Sequence, residues 1–68
     1  MTVYKVWFAD DTRKMRTNII KTIDNTEVFC MGDYDIITTQ ESDAVEYELN
    51  KAKRKDNGEC DWEIISKN

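Results

Sequence analysis

Four segments of the chain have the residue types and the alternation of β-strands. Residues 2–9 are dense in β-branched and aromatic side chains, with Tyr4, Val6 and Phe8 on one face. The opposite face also has apolar members, which indicates a central strand or a strand whose second face is covered by a partner. The other predicted strands are residues 27–31, 34–39 and 59–66.

One segment has the apolar period of an α-helix and the matching end signals. The apolar stripe consists of Val45, Leu49 and Ala52, at i, i+4 and i+7. Ser42 is a suitable N-cap, and the basic run 51–55 lies where the helix dipole favours cations. Asn57-Gly58 then supplies a left-handed stop. The sequence predicts an amphipathic helix over about residues 42–55.

Residues 15–23 carry two conflicting signals. A helical stripe is formed by Met15, Ile19, Ile20 and Ile23. However, five of the seven residues in 17–23 are β-branched, which suits a strand. Periodicity by itself favours the helix narrowly. A helix here would give the βαββαβ order of a ferredoxin-like fold.

Composition limits the chain to one small domain with little chemistry. The sequence has 68 residues, of which 40% are apolar, so we expect a single domain over residues 1–68 without a deep ligand cavity. It contains no His, which excludes Ser-His and Cys-His catalytic pairs, and no Gly-rich phosphate loop. We expect no enzymatic activity, no cofactor and no metal.

The cysteines and the absence of long apolar runs indicate a compartment. No stretch is long enough to cross a membrane and no signal peptide is evident, so we expect a cytoplasmic protein. Cys30 and Cys60 are then expected to be reduced thiols that pack like small apolar groups.

Asp10-Asp11 after the first strand could hold Mg²⁺ weakly, as in a small enzyme or metal-dependent switch, although a cap or turn is the simpler interpretation.

Charge is distributed unevenly along the sequence. The formal net charge is −4, yet no Lys or Arg occurs between Lys21 and Lys51, where eight acidic residues lie. The rest of the chain holds ten basic and six acidic residues. An acidic middle segment would attract a basic partner and repel nucleic acid, although a merely solvated face would look the same.

Aromatic side chains near these acids are candidate partner contacts. Trp7 shares a strand face with Lys5, and Tyr34 lies between two Asp residues at a predicted turn. Aromatic and acidic neighbours suit recognition of a basic surface. The candidate partner-binding residues are Trp7, Asp33, Tyr34, Asp35, Asp43, Glu46 and Glu48.

Four short motifs occur in an order that resembles a phage protein family. They are YKVWF at the start, ITTQ before the helix, NKA within it and ECDWE in the last strand. In this order they resemble the Dmd family of small antitoxins from T-even phages. The resemblance implies a protein that binds host RNase toxins of the RNase LS type and blocks them without chemistry of its own. It also implies that residues 15–23 form a strand.

Together these observations predict an α+β fold, with a small, mainly antiparallel sheet and one amphipathic helix packed on one face; the ferredoxin-like order is the alternative. The expected function is a non-enzymatic phage inhibitor that blocks a host RNase toxin or defence nuclease in the host cytoplasm. The alternative is an acidic DNA mimic that captures a DNA-binding defence protein.

Overall fold

Six secondary-structure elements follow one another along the chain. The computed structural model describes residues 1–8, 14–55 and 60–67, without the side chains of 14, 15, 20 and 52–55. The elements are β1 (Thr2–Phe8), α1 (Lys14–Thr22), β2 (Thr26–Cys30), β3 (Asp35–Thr39), α2 (Ser42–Lys55) and β4 (Cys60–Lys67). The predicted α+β class is confirmed, and the four predicted strands agree with the observed ones to within one or two residues.

The four strands form one antiparallel sheet in the order β2-β3-β1-β4. The strand β1 is therefore central, as its two apolar faces predicted. With a helix after β1 and another after β3, the chain has the βαββαβ order of a ferredoxin-like fold. This is the alternative arrangement considered above, and it follows from the conformation of residues 15–23.

The helix α1 corrects the strand that the family resemblance implied for residues 15–23. Ile19 is fully buried and Ile23 is 8% exposed, so the two face the core one helical turn apart. The amide of Ile23 donates to the carbonyl of Ile19, which extends the last turn. The hydroxyl of Thr22 donates a 2.6 Å hydrogen bond to the carbonyl of Asn18, four residues earlier. This bond gives the side-chain hydroxyl a partner within the helix.

Both helices bury their apolar side chains on the same face of the sheet. The buried cluster comprises Tyr4, Val6, Ile19, Ile23, Ile37, Val45, Leu49 and Cys60. Its sheet members come from alternate positions, because only every second side chain of a strand points to a given face. Trp62 packs edge-on against Tyr4 with ring centroids 5.6 Å apart, which places Trp62 beside this core.

The β2–β3 turn follows the local sequence, whereas the N-cap of α2 differs from the predicted one by one residue. Gly32 has a φ of 88°, and the amide of Met31 donates to the carbonyl of Tyr34, so Gly32-Asp33 makes the predicted tight reversal between β2 and β3. At α2 the first helical bond is accepted by the carbonyl of Glu41. Glu41 thus occupies the capping position that we predicted for Ser42, which is the first helical residue.

Several sequence predictions concern residues outside the described part of the chain. These are Asp10-Asp11 as a metal site or turn, Asn57-Gly58 as a helix stop, the ends of two strands at Ala9 and Glu59, and the side chains of Met15, Ile20 and Ala52. The two cysteines form no disulfide: Cys60 is buried, whereas Cys30 is exposed. Packing as a small apolar group is therefore confirmed for Cys60 and wrong for Cys30, because Cys30 lies on the edge strand β2.

Candidate protein-binding surface

The sheet face opposite the helices is not covered by any element that the structure describes. We call it the open face. Its strand positions alternate with those of the core, and Tyr34 joins it through contact with Trp7. It consists of Val3, Lys5, Trp7, Glu27, Phe29, Tyr34, Ile36, Thr38, Asp61, Glu63 and Ser66.

Strand register sets the order of side chains across the open face. Phe29 pairs with Ile36, Ile36 with Lys5, and Lys5 with Glu63, so these four form one row from edge to edge. Phe29 is 58% exposed at the β2 edge, which is unusual for a large aromatic side chain. The row thus runs from an exposed aromatic ring to a carboxylate, with a single cation between them.

A cation lies over two aromatic rings next to the two central strands, at the end of the open face nearest the β2–β3 turn. The ring centroids of Trp7 and Tyr34 are 6.3 Å apart, with the planes tilted by 55°. The Nζ atom of Lys5 lies 4.9 Å from the Trp7 centroid and 4.3 Å from that of Tyr34. Both distances are within the range of cation–π attraction. The structure therefore brings together two of the predicted contact residues, Trp7 and Tyr34, around a lysine.

Carboxylates lie on both edge strands of the open face, although Glu27 pairs with Thr38 and so lies at the opposite end of the face from the Trp7–Tyr34 pair. Glu27 lies on β2, while Asp61 and Glu63 lie on β4, where they pair with Trp7 and Lys5 of β1. Among the open-face residues defined above, Lys5 is the sole cation. The aromatic pair beside the two central strands, which we call the aromatic centre, and the acidic edge strands are together complementary to a basic surface with apolar content.

Three of the predicted contact residues project from α2, on the opposite side of the sheet. Asp43 is exposed, and Glu48 forms a 3.8 Å ion pair with Lys51. Glu46 accepts a 2.5 Å hydrogen bond from the hydroxyl of Tyr4. The pKa of the Tyr4 hydroxyl is raised above its usual range; burial is the largest cause and this hydrogen bond to Glu46 is the second. These acids and Trp7 do not share one surface.

The two Asp residues on either side of Tyr34 have different environments. Asp33 is exposed at the tip of the β2–β3 turn. The side chain of Asp35 is 2% exposed and accepts two 2.7 Å hydrogen bonds from Arg16, one from Nε and one from Nη2. These bonds are the main reason that the pKa of Arg16 is raised. Asp35 thus joins β3 to α1, and its carboxylate is not accessible to a partner.

Of the eleven members of the open face, only Trp7 and Tyr34 were among the predicted contacts; the other nine, which include Glu27, Phe29 and Ile36, were not. The alternation of residues 27–31 could have placed Glu27 and Phe29 on one face, but it could not show which face the helices leave uncovered. That information comes from the strand order, which sets β2 at an edge beside β3.

Neither protein-family models nor curated proteins nor solved structures match this chain.

Within the described residues, no group of three or more His, Cys, Asp or Glu side chains could hold a metal ion. The described helices include none with the length and apolar character needed to cross a membrane. A shallow depression of about 360 Å³ at one end of the sheet is lined by Met1, Asn25, Thr26, Glu27, Thr38 and Gln40.

Proposed function

We propose that this protein is a non-enzymatic phage inhibitor that binds a basic host nuclease, an RNase toxin of the RNase LS type, through the open face. It would act in the cytoplasm of the host cell by covering the surface that the nuclease uses for RNA. The observation that carries the proposal is the aromatic centre of the open face between acidic edge strands. The motif resemblance supports the choice of an RNase toxin as the partner.

The open face has the features of a protein-binding surface. Aromatic side chains supply most of the binding free energy in many interfaces, and Trp7, Tyr34 and Phe29 are three such side chains on one face. A ribonuclease carries a basic RNA-binding groove, which the carboxylates of Glu27 and Glu63 would attract. Binding there would exclude RNA without any reaction.

The acidic residues are arranged unfavourably for a DNA mimic. A mimic needs carboxylates spaced along one surface like phosphates. Here Glu27 and Glu63 lie on the open face, whereas Asp43 and Glu48 lie on the helical side and Asp35 is buried. We therefore do not propose DNA mimicry.

An inhibition assay with matched variants tests the proposal. The purified protein should block RNA cleavage by an RNase LS-type toxin at stoichiometric concentrations. Phe29→Asp should abolish inhibition because it places a charge in the aromatic part of the interface. Tyr47→Asp is the matched control, since Tyr47 is 61% exposed, similar to Phe29 at 58%, but lies on α2.

Charge reversals provide a second matched pair. Glu63→Lys on the open face should weaken inhibition at least tenfold, whereas Asp43→Lys on α2 should leave it within about twofold; a tenfold loss corresponds to about 1.4 kcal/mol. Failure of the native protein to inhibit the toxin would overturn the proposed function. Equal effects of the open-face and helix variants would overturn the assignment of the surface.

A further inference from the structure

We infer that the Trp7–Tyr34 pair is a receptor site for an arginine side chain of the partner protein, and that Lys5 is its internal occupant in the free protein. This deepens the proposed function and rests on it for the existence of a basic partner. The juxtaposition that carries the inference is an aromatic pair that already holds a cation, beside a carboxylate that the cation does not neutralise.

The rings of Trp7 and Tyr34 show a cation-binding geometry without a partner present. The Lys5 ammonium lies within 5 Å of both ring centroids, at 4.9 and 4.3 Å. Lysine is flexible and strongly hydrated, so its side chain can leave these rings for water at little cost. The site can therefore exchange its internal cation for an external one.

The carboxylate of Glu63 is positioned to favour the exchange. Glu63 is the cross-strand partner of Lys5. In the described part of the chain, neither Lys5 nor Glu63 takes part in an ion pair within 4.0 Å. The ammonium lies over the rings instead, so the carboxylate next to it is available to an incoming cation.

The combination of ring faces and a nearby carboxylate suits arginine better than lysine. A guanidinium is planar and weakly hydrated, so it can stack on one ring while its edge donates hydrogen bonds to a carboxylate such as Glu63. A lysine ammonium can lie over a ring or donate to the carboxylate, but it does not do both at once. The expected ligand is thus an arginine on a basic surface.

Titration of the protein with small probes, followed by NMR, tests the site directly. L-argininamide should shift the indole N–H signal of Trp7 in the native protein. Lys5→Met keeps an unbranched, flexible side chain that is only one atom shorter but removes the competing cation, so it should bind argininamide about threefold to fivefold more tightly. Tyr34→Leu should abolish this shift, and Glu63→Gln should weaken binding about twofold or more. Trp7→Leu removes the indole itself, so its loss of binding is measured from the backbone amide signals of β1.

Two controls separate this site from general electrostatic attraction. Lys21→Met removes an exposed lysine from α1 and gives the same net charge as Lys5→Met, so it should leave the affinity unchanged. The amide of citrulline has the same α-amino group as argininamide but an uncharged side chain, so it should bind at least tenfold more weakly than argininamide. Circular dichroism of each variant checks that it is folded.

The outcomes distinguish the site from the proposed function. Equal tightening by Lys5→Met and Lys21→Met, equal binding of the citrulline probe, or equal binding of L-lysinamide would overturn the arginine site. An intact argininamide site in a protein that does not inhibit the toxin would leave the site standing and overturn the function. Full inhibition by a folded Trp7→Leu variant would overturn the role of the site in partner binding.

Discussion

Arg16 and Asp35 join helix α1 to strand β3 through an ion pair. The pair is bidentate, and the side chains are 17% and 2% exposed. Such a pair contributes little net stability compared with apolar side chains of the same shape, but removing one partner leaves an uncompensated charge. Asp35 therefore has a structural role, unlike its exposed neighbour Asp33.

Substitution of Asp35 tests this role. Asp35→Asn should lower the free energy of unfolding by about 3 kcal/mol, the lower end of the range for breaking a buried pair, because Arg16 keeps some access to water. Asp33→Asn is the matched control and should change stability by less than about 0.5 kcal/mol. Urea unfolding of the two variants measures the difference. Equal effects would contradict the structural role of Asp35.

The buried hydroxyl of Tyr4 gives the protein a specific alkaline sensitivity. Its pKa is raised from the ordinary value of 10.0 by burial and by the hydrogen bond to Glu46. Above pH 10.0, the ordinary tyrosine pKa, the Tyr4 hydroxyl loses its proton in the unfolded chain but keeps it in the folded protein. The unfolded state then binds fewer protons, so stability from this group falls as pH rises, by about 1.4 kcal/mol per pH unit until the folded pKa is reached.

A Tyr4→Phe variant isolates this contribution. It removes the titrating hydroxyl and retains the ring that packs against Trp62. The variant should lose stability less steeply above the ordinary tyrosine pKa than the native protein does. Denaturant unfolding at several alkaline pH values, compared between the two proteins, measures the slope. Parallel curves would show that Tyr4 ionises equally in the folded and unfolded states.

Sequence alone could not distinguish the acids by environment. Asp33 and Asp35 look equivalent as neighbours of Tyr34, yet one is exposed at a turn and the other begins a buried strand. The difference depends on where β3 starts and on which helix supplies Arg16, some nineteen residues earlier in the chain. Charge counting therefore identified an acidic segment but could not identify its accessible members.

At the scale of elements, α2 was predictable because all of its signals agree. The apolar stripe, the acidic first turn and the basic end all favour the same helix. For α1 the residue types favoured a strand and the period favoured a helix. The segment forms a helix, because burying Ile19 and Ile23 against the sheet stabilises it by more than the small helix penalty of its β-branched residues.

An exposed position in α1 provides a test of its conformation that does not depend on core packing. Asn18 is exposed in the middle of the helix. Asn18→Ala should raise the free energy of unfolding by about 0.5 kcal/mol, and Asn18→Gly should be about 1 kcal/mol less stable than the Ala variant. Thermal unfolding of the two variants measures this. A destabilising Ala substitution would instead indicate a strand, where Ala is unfavourable.

At the scale of the whole molecule, both helices lie on one face of a four-stranded sheet, and none of the described elements covers the other face. The two apolar faces of residues 2–9 predicted a central strand or a strand covered by a partner, and the central position of β1 is confirmed. The sequence could not predict that Phe29 and Ile36 share a sheet face with Trp7, because only the strand order β2-β3-β1 brings the three residues to the same face. The strand order, which the sequence did not reveal, therefore decides which side chains form the candidate surface.

The remaining question at this scale is why the open face should not simply pair with a second copy of itself. In such a dimer, the acidic margins formed by Glu27, Asp61 and Glu63 would be brought near the same margins of the other copy. Among the described residues of the open face, Lys5 is the one cation that accompanies these carboxylates. Like-charge repulsion then opposes self-association and leaves the aromatic centre for a basic partner.

Sedimentation velocity tests this balance. The native protein should remain a monomer of 8.0 kDa at neutral pH from micromolar to submillimolar concentration. A Glu27→Gln, Glu63→Gln double variant should self-associate, because it keeps the aromatic centre and removes two of the repelling charges. Glu41→Gln, Asp43→Asn is the matched control, since it removes two exposed charges at the start of α2 and should stay monomeric. A native dimer at micromolar concentration would show that the open face accepts its own copy despite the acidic margins.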